Sequence, residues 1–92
     1  VDLFYCVRNR DEAVFAAELR SIEQRCAGLR VHVVVEDLEG PPTTDLIERE
    51  TSLQGAEFLL CGHRVMIRRL LEDLRAHGVP RSTIHLENLE YF

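Results

Sequence analysis

The residue types that are rare in this chain already narrow its class. It contains no tryptophan and only three cysteines, Cys6, Cys26 and Cys61. An odd number of cysteines without a C-x-x-C pair makes a poor disulfide framework and a poor zinc site. The four histidines also lack the spacing of metal ligands. We therefore expect no bound metal and a reducing, cytoplasmic location.

Basic residues and long apolar runs are scarce as well. Eleven Lys and Arg residues stand against sixteen Asp and Glu residues, which gives a net charge of −5 over 92 residues. A surface for non-specific nucleic-acid binding needs a basic footprint. No apolar run approaches the roughly 18 residues of a membrane span. We expect one domain that contacts neither nucleic acid nor membrane.

Apolar runs and helical periodicity alternate along the chain. Continuous apolar runs rich in branched and aromatic residues predict strands, and apolar residues spaced three and four apart predict helices. The strands are predicted at residues 3–7, 29–35, 58–61 and from 83, and the helices at 11–26, 44–53 and 63–77. This order predicts an α/β fold, with a parallel sheet between helices and right-handed crossovers.

The two longer predicted helices each have one apolar face. In the first, the face consists of Ala13, Phe15 or Ala16, Leu19, Ile22 and Cys26. In the last, it consists of Val65 or Met66, Ile67, Leu70, Leu71 and Leu74. Gly78 and Pro80 then end the last helix, because glycine favours the C-terminal cap and proline cannot continue a helix. Both faces are expected to pack on the sheet.

The segment 58–66 is the most informative part of the sequence. A short apolar strand ends in Cys61-Gly62, and a helical pattern begins at once. In an open α/β sheet, ligands bind just outside the carboxyl ends of the strands. The backbone N–H groups of the following helix face the same place. The sequence therefore predicts a binding site around Cys61 and Gly62.

Three interpretations of Cys61 are open at this point. It can contact a ligand, it can be a small buried hydrophobic residue, or it can be a nucleophile whose pKa is lowered at the helix start. A phosphatase-like loop is disfavoured, because the position six residues after Cys61 is Ile67 and the arginine comes one later. Gly62 serves either a close ligand approach or an ordinary strand-to-helix turn.

Four segments together resemble one family. They are residues 5–12 leading into 15–19, residues 58–62 with Met66 four residues after Gly62, the turn 78–80, and the acidic-aromatic end 85–92. In this order and spacing, they resemble the nucleotide-binding lobe of the ferredoxin–NADP reductase superfamily, which includes flavin-dependent ferric reductases and oxygenase reductases. The resemblance covers nearly the whole chain. His63-Arg64 departs from the two prolines that the family has there.

The resemblance implies a three-layer, Rossmann-like lobe that lacks its first strand. In the family, that strand is central and precedes a glycine-rich turn for the pyrophosphate, and no G-x-G-x-x-G occurs here. We therefore expect an N-terminally truncated lobe. Its sheet is predicted to close by pairing segment 3–7 with segment 58–61, giving the strand order 2-1-3-4.

The resemblance also implies a function and its cofactors. It implies part of a flavin-dependent oxidoreductase in which NAD(P)H binds this lobe and passes hydride to FAD on a domain absent from this chain. Electrons then go to iron, a haem or an iron–sulfur partner. The isolated fragment is expected to be inactive. Some relatives are membrane ferric reductases, so a membrane-anchored parent with this lobe on the cytoplasmic side is compatible with the resemblance.

The resemblance also implies site residues, carried over position by position. Cys61 and Glu87 are the expected catalytic residues, one near the nicotinamide and one as a proton relay. The expected cofactor-binding residues are Arg8, Glu36, Asp37, Cys61, Gly62, Arg64, Met66, Tyr91 and Phe92. Glu36 and Asp37 favour NADH, because an acid after this strand accepts from a ribose 2′-hydroxyl and repels a 2′-phosphate.

Several of these residues also have a simpler structural explanation. Arg8 can simply pair with Asp11 or Glu12, Arg64 can be solvated, and Glu36 with Asp37 can be an acidic loop. A different class of function is a non-catalytic α/β interaction or regulatory domain.

Overall fold

The computed structural model describes residues 1–40, 42–53 and 55–88, and these form a three-layer α/β fold. The strands are β1 (Asp2–Val7), β2 (Arg30–Val35), β3 (Phe58–Gly62) and β4 (Ile84–Asn88). The helices are α1 (Ala16–Arg25), α2 (Glu36–Glu39), α3 (Thr44–Glu50) and α4 (Arg64–Ala76), with 3₁₀ turns at Arg10–Glu12 and Arg81–Thr83.

All strand pairs are parallel, and the strand order is β2-β1-β3-β4. The prediction that segment 3–7 pairs directly with segment 58–61 is confirmed, with Tyr5 opposite Cys61. Every residue of β1 is buried, as expected for a strand covered on both faces. β1 and β3 therefore form the centre of the sheet.

Alternate residues of the strands enter two separate cores. On the face covered by α3 and α4, Phe4, Phe58, Leu60 and Ile84 pack with the inner side of α4. On the face covered by α1, Leu3, Tyr5, Val7 and Cys61 form a second cluster. This division follows from the two-residue period of a strand. Cys61 and Tyr5 consequently share the face on which α1 lies.

The first helix is shorter than predicted. It begins at Ala16 rather than at residue 11, because the Asn9 side chain caps a separate 3₁₀ turn by accepting from Glu12 N–H at 3.1 Å. The Tyr5 hydroxyl then occupies the break, donating to the Glu12 carbonyl at 3.0 Å and accepting from Phe15 N–H at 3.5 Å. A buried tyrosine needs such partners.

The predicted apolar face of this helix is only half-covered. Ala13, Phe15, Ala16 and Leu19 pack partly buried against the sheet, but Ile22 and Cys26 are exposed. The expectation that these last two residues are buried is wrong.

The connection after β2 also differs from the prediction. Glu36 and Asp37 begin a one-turn helix, α2, where a loop was expected. The Glu39 carboxylate stabilises this turn by accepting from Val35 N–H at 3.1 Å.

The predicted helix α3 is present but ends at Glu50, three residues before the predicted end. Its cap is Thr43, whose hydroxyl accepts from Leu46 N–H at 3.2 Å.

α4 agrees with the prediction to within one residue at each end. Met66, Ile67, Leu70 and Leu74 are buried on its inner side, and Leu71 is partly buried. Val65 is 51% exposed, so Met66 is the inner residue of that predicted pair.

Candidate functional site

Most of the described site residues lie at one edge of the sheet. Arg8 follows β1, Glu36 follows β2, and Gly62 ends β3 immediately before α4. Because the strands are parallel, their carboxyl ends meet at this edge. The structure thus brings Arg8, Glu36, Asp37, Gly62 and Arg64 to the edge where the sequence predicted a site.

Cys61 and Glu87 are neighbours across two strands. They lie opposite each other in the β3–β4 register, and Tyr5 lies opposite Cys61 on the other side. Residues paired in register point to the same face of a sheet, so the three side chains form one row. Glu87 is exposed, whereas Cys61 is only 3% exposed.

The Cys61 thiol is neutral at physiological pH. Burial first of all, and the Glu87 carboxylate second, raise the pKa of Cys61 to about 12. A reactive cysteine needs the opposite environment, with a lowered pKa and access to solvent. The arrangement fits a small buried residue packed in the core on the α1 face and disfavours a thiolate nucleophile.

Gly62 is explained by the packing of β3 on β1. Its φ is +123°, a value that side chains with Cβ rarely adopt. A Cβ at this position would lie 2.0 Å from the carbonyl oxygen of Cys6. The next residue, His63, donates its N–H to that same oxygen at 3.0 Å. The close approach therefore serves the turn from β3 into α4.

Arg8 is held beside the 3₁₀ turn by Glu12. Its Nε donates to Glu12 Oε2 at 2.8 Å, and its backbone N–H donates to Glu12 Oε1 at 3.1 Å. Hydrogen bonds from Arg8 are the largest cause that lowers the pKa of Glu12, so this carboxylate is ionised. The simpler structural explanation, in which Arg8 pairs with Glu12, is confirmed. The Arg8 carbonyl also accepts from Asp37 N–H at 3.0 Å, which joins the ends of β1 and β2.

The remaining predicted residues divide into four groups. Glu36 is half-buried and Asp37 exposed in the single turn of α2. Arg64 is exposed and lines an open groove on the outer face of α4 with Val65, Arg68, Arg69 and Glu72. Met66 is 4% exposed inside the core, so it supports the start of α4 and does not face the groove. Tyr91 and Phe92 lie outside the described residues.

Comparison with known proteins points in the same direction as the motifs. The chain is similar to flavohemoproteins. Two curated flavohemoproteins of Xylella fastidiosa, from strains Temecula1 and 9a5c, are each 30% identical to it over 87 residues. The alignment covers 87% of this chain and 22% of each relative, so the chain spans about a fifth of their length. This likeness is distant and partial, and it is consistent with a ferredoxin-reductase-like lobe of an oxidoreductase.

Two other comparisons add nothing to this. No family model matches the sequence, and no solved structure matches the fold.

Within residues 1–40, 42–53 and 55–88, no three His, Cys, Asp or Glu side chains are grouped so as to hold a metal ion. In the same part of the chain, no helix is both long and apolar enough to cross a membrane.

Sequence reasoning missed two residues that build this edge. Tyr5 was assigned only to a strand, but its hydroxyl organises the loop after β1. The signal was a tyrosine in an otherwise apolar buried strand, which requires a polar partner nearby. Glu12 was considered only as a partner for Arg8, yet its backbone carbonyl also accepts from the Tyr5 hydroxyl while its carboxylate accepts from Arg8. It therefore ties the turn after β1 to the strand itself.

Proposed function

We propose that this chain is part of the nucleotide-binding lobe of a flavin-dependent NAD(P)H oxidoreductase. Three observations support the proposal. The order and spacing of the motifs resemble that family, the fold is a parallel α/β sheet, and the similar curated proteins carry the name flavohemoprotein. This name denotes a protein that contains flavin and haem. It suits a longer parent protein in which electrons pass from FAD to a haem, iron or iron–sulfur acceptor.

The observation that carries the proposal is the row formed by Tyr5, Cys61 and Glu87. It lies near the carboxyl edge of the central strands and just before the N-terminus of α4. A neutral thiol beside a solvent-exposed carboxylate offers an apolar contact and a proton acceptor within one site. When bound, NAD(P)H supplies the hydride and the flavin accepts it, while the protein orients one ring against the other.

The start of α4 suits the phosphate part of a nucleotide. The N-cap His63 forms no side-chain cap hydrogen bond, and the first N–H groups of a helix have no partner within the helix itself. Such groups bind anions, and Arg64, Arg68 and Arg69 add positive charge beside them. We assign phosphate contact to Arg64 in this proposal.

The acids after β2 set the choice between the two dinucleotides. Glu36 and Asp37 place negative charge at the end of β2, where a ribose lies in a nucleotide-binding sheet. A carboxylate accepts from a free 2′-hydroxyl and repels a 2′-phosphate. NADH is therefore the preferred hydride donor.

The direct pairing of β1 with β3 lowers the expected affinity. The family places a further strand and its glycine-rich turn between these two strands, and here their backbones are already hydrogen-bonded. We expect the chain by itself to bind NADH weakly, with a Kd of about 1 mM. In the parent, a flavin-binding domain is the proposed partner, and the cytoplasm the proposed compartment.

The test is a titration of the chain with NADH and NADPH, followed by NMR. NADH is expected to bind at least about tenfold more tightly than NADPH. The double variant Glu36→Ser, Asp37→Arg is expected to reverse this preference, and Asp45→Asn, an exposed acid in α3, serves as the charge control. Equal affinities that the double variant leaves unchanged would refute the assignment of Glu36 and Asp37. Absence of any nucleotide binding favours an interaction domain instead.

A further inference from the structure

The two outer strands of the sheet differ in how their free edges are covered. β2 and β4 are the outer strands. The backbone N–H and C=O groups that an outer strand turns away from the sheet are a template for pairing with another chain. Proteins that avoid such pairing cover these groups with side chains, helices or loops.

The edge of β2 is covered at both ends. Arg20 Nη1 donates to the Val31 carbonyl at 2.6 Å, and a Glu23 carboxylate oxygen accepts from Val31 N–H at 2.6 Å. At the other end, Glu39 accepts from Val35 N–H at 3.1 Å. Side chains from α1 and α2 therefore occupy the outward backbone groups at the first and last such residues of β2.

The edge of β4 is covered only at its start. Ile84 N–H donates to the Arg81 carbonyl, and the Arg81 guanidinium donates to the Ile84 carbonyl. Alternate residues of a strand turn their backbone groups to the same side, so Leu86 turns its groups outward as Ile84 does. Within residues 1–40, 42–53 and 55–88, no side chain bonds to the Leu86 backbone.

The side chains on this edge are complementary to a second copy of themselves. Leu86 is 38% exposed, although its register partner Leu60 is fully buried. His85 and Glu87 flank it and are exposed on the opposite face. In an antiparallel pair centred on Leu86, each leucine meets its counterpart, and His85 of each copy lies opposite Glu87 of the other. An imidazole and a carboxylate placed opposite each other across strands form a polar pair that stabilises such an arrangement.

We infer that the β4 edge is an interface between two copies of this chain. An antiparallel pairing about a two-fold axis through Leu86 joins the two sheets into one continuous sheet. Such an interface is isologous, so it closes at the dimer and forms no filament. His85 already has an acid nearby, since its Nε2 lies 3.9 Å from a carboxylate oxygen of Glu57. The partner's Glu87 adds a second carboxylate to the same imidazole.

Sedimentation velocity on the whole chain tests this inference. At about 1 mM protein, the mass is expected to approach twice the 10.6 kDa of one chain. Leu86→Lys is expected to abolish the dimer, because it places two cations opposite each other. Leu38→Lys is the matched control, since Leu38 is 61% exposed on α2 and away from β4.

A charge exchange separates this interface from a general loss of stability. His85→Glu puts two carboxylates opposite each other in both pairs and is expected to weaken the dimer at least about tenfold. Adding Glu87→Lys places opposite charges across the two strands and is expected to restore the dimer. Circular dichroism checks that each variant is folded. A chain that stays monomeric at about 1 mM, or a dimer that none of these variants changes, overturns the inference.

Discussion

At the scale of single residues, Gly62 carries the most specific constraint in the chain. Its backbone conformation is one that favours glycine, and the Cys6 carbonyl occupies the place of a side chain. A ligand-binding role for Gly62 is thus not needed to explain why a glycine stands there. The requirement comes from the contact between the two central strands.

Gly62→Ala is expected to lower the free energy of unfolding by at least about 3 kcal/mol, because strain at positive φ adds to a backbone clash. Gly78→Ala is the matched control. Gly78 also has a positive φ of 86°, but a Cβ there would meet nothing within 4 Å. Its expected cost is about 1 kcal/mol. Urea unfolding measures both, and equal losses would show that the contact with Cys6 is not tight.

Cys61 is expected to react slowly with alkylating reagents, and Cys26 is expected to react quickly. Burial keeps the Cys61 thiol protonated, with its pKa raised to about 12, whereas Cys26 is exposed. Alkylation by iodoacetamide near neutral pH, followed by mass spectrometry, should modify Cys61 more than about tenfold more slowly than Cys26. Glu87→Gln should leave this order unchanged, because burial is the larger cause. Faster alkylation of Cys61 than of Cys26 would instead support the interpretation of Cys61 as a nucleophile.

At the scale of elements, α3 and α4 are joined by one carboxylate. Asp73 of α4 accepts from both the N–H and the hydroxyl of Thr44, at 2.7 and 2.5 Å. Thr44 is the first residue of α3, so Asp73 satisfies an N-terminal group of a different helix. The hydrogen bonds from Thr44 are the largest causes that lower the pKa of Asp73.

Asp73→Asn is expected to destabilise the fold by about 1 kcal/mol at neutral pH. Because the pKa of Asp73 is lowered in the folded state, its contribution is present above the ordinary carboxyl range and is lost as pH falls below about 4. Thermal unfolding from acidic to neutral pH should therefore show the variant and the parent converging at low pH. Glu72→Gln, an exposed neighbour, is the control. A constant difference at all pH values would contradict this role.

The elements also show what sequence could and could not predict. α4 was predicted to within one residue because its apolar period and the Gly78-Val79-Pro80 stop are both local signals. The start of α1 was missed because it depends on the Tyr5 hydroxyl, which arrives from a neighbouring strand. α2 was missed because a single turn held by Glu39 has no periodicity to detect.

For the candidate site, the sequence predicted the edge but not the interactions within it. The pattern of apolar runs placed Arg8, Glu36 and Gly62 at the carboxyl ends of parallel strands. It offered Glu12 and Asp11 equally as partners for Arg8, and it did not predict that the Cys6 carbonyl fills the space beside Gly62. The contact at Gly62 depends on the register of β1 against β3, which is a long-range property.

At the scale of the whole molecule, the sheet order is the central feature. β1 and β3 lie together, so their carboxyl ends, the loop to α2 and the start of α4 converge on one edge. Charge is also distributed unevenly, since acids occupy the turn of α2 while arginines line the outer groove of α4. A molecule with net charge −5 thus offers cationic groups for an anion beside this edge.

Backbone amide shifts followed by NMR during an NADH titration map where the nucleotide binds. The largest shifts are expected on Gly62, His63 and Arg64, with smaller ones at Glu36 and Asp37. The exposed end of α1 around Cys26 should not respond. Arg64→Ala should weaken binding, while Arg25→Ala, an exposed arginine on α1, should not. Shifts confined to any other surface, or binding indifferent to Arg64, would contradict the assignment of this edge as a nucleotide site.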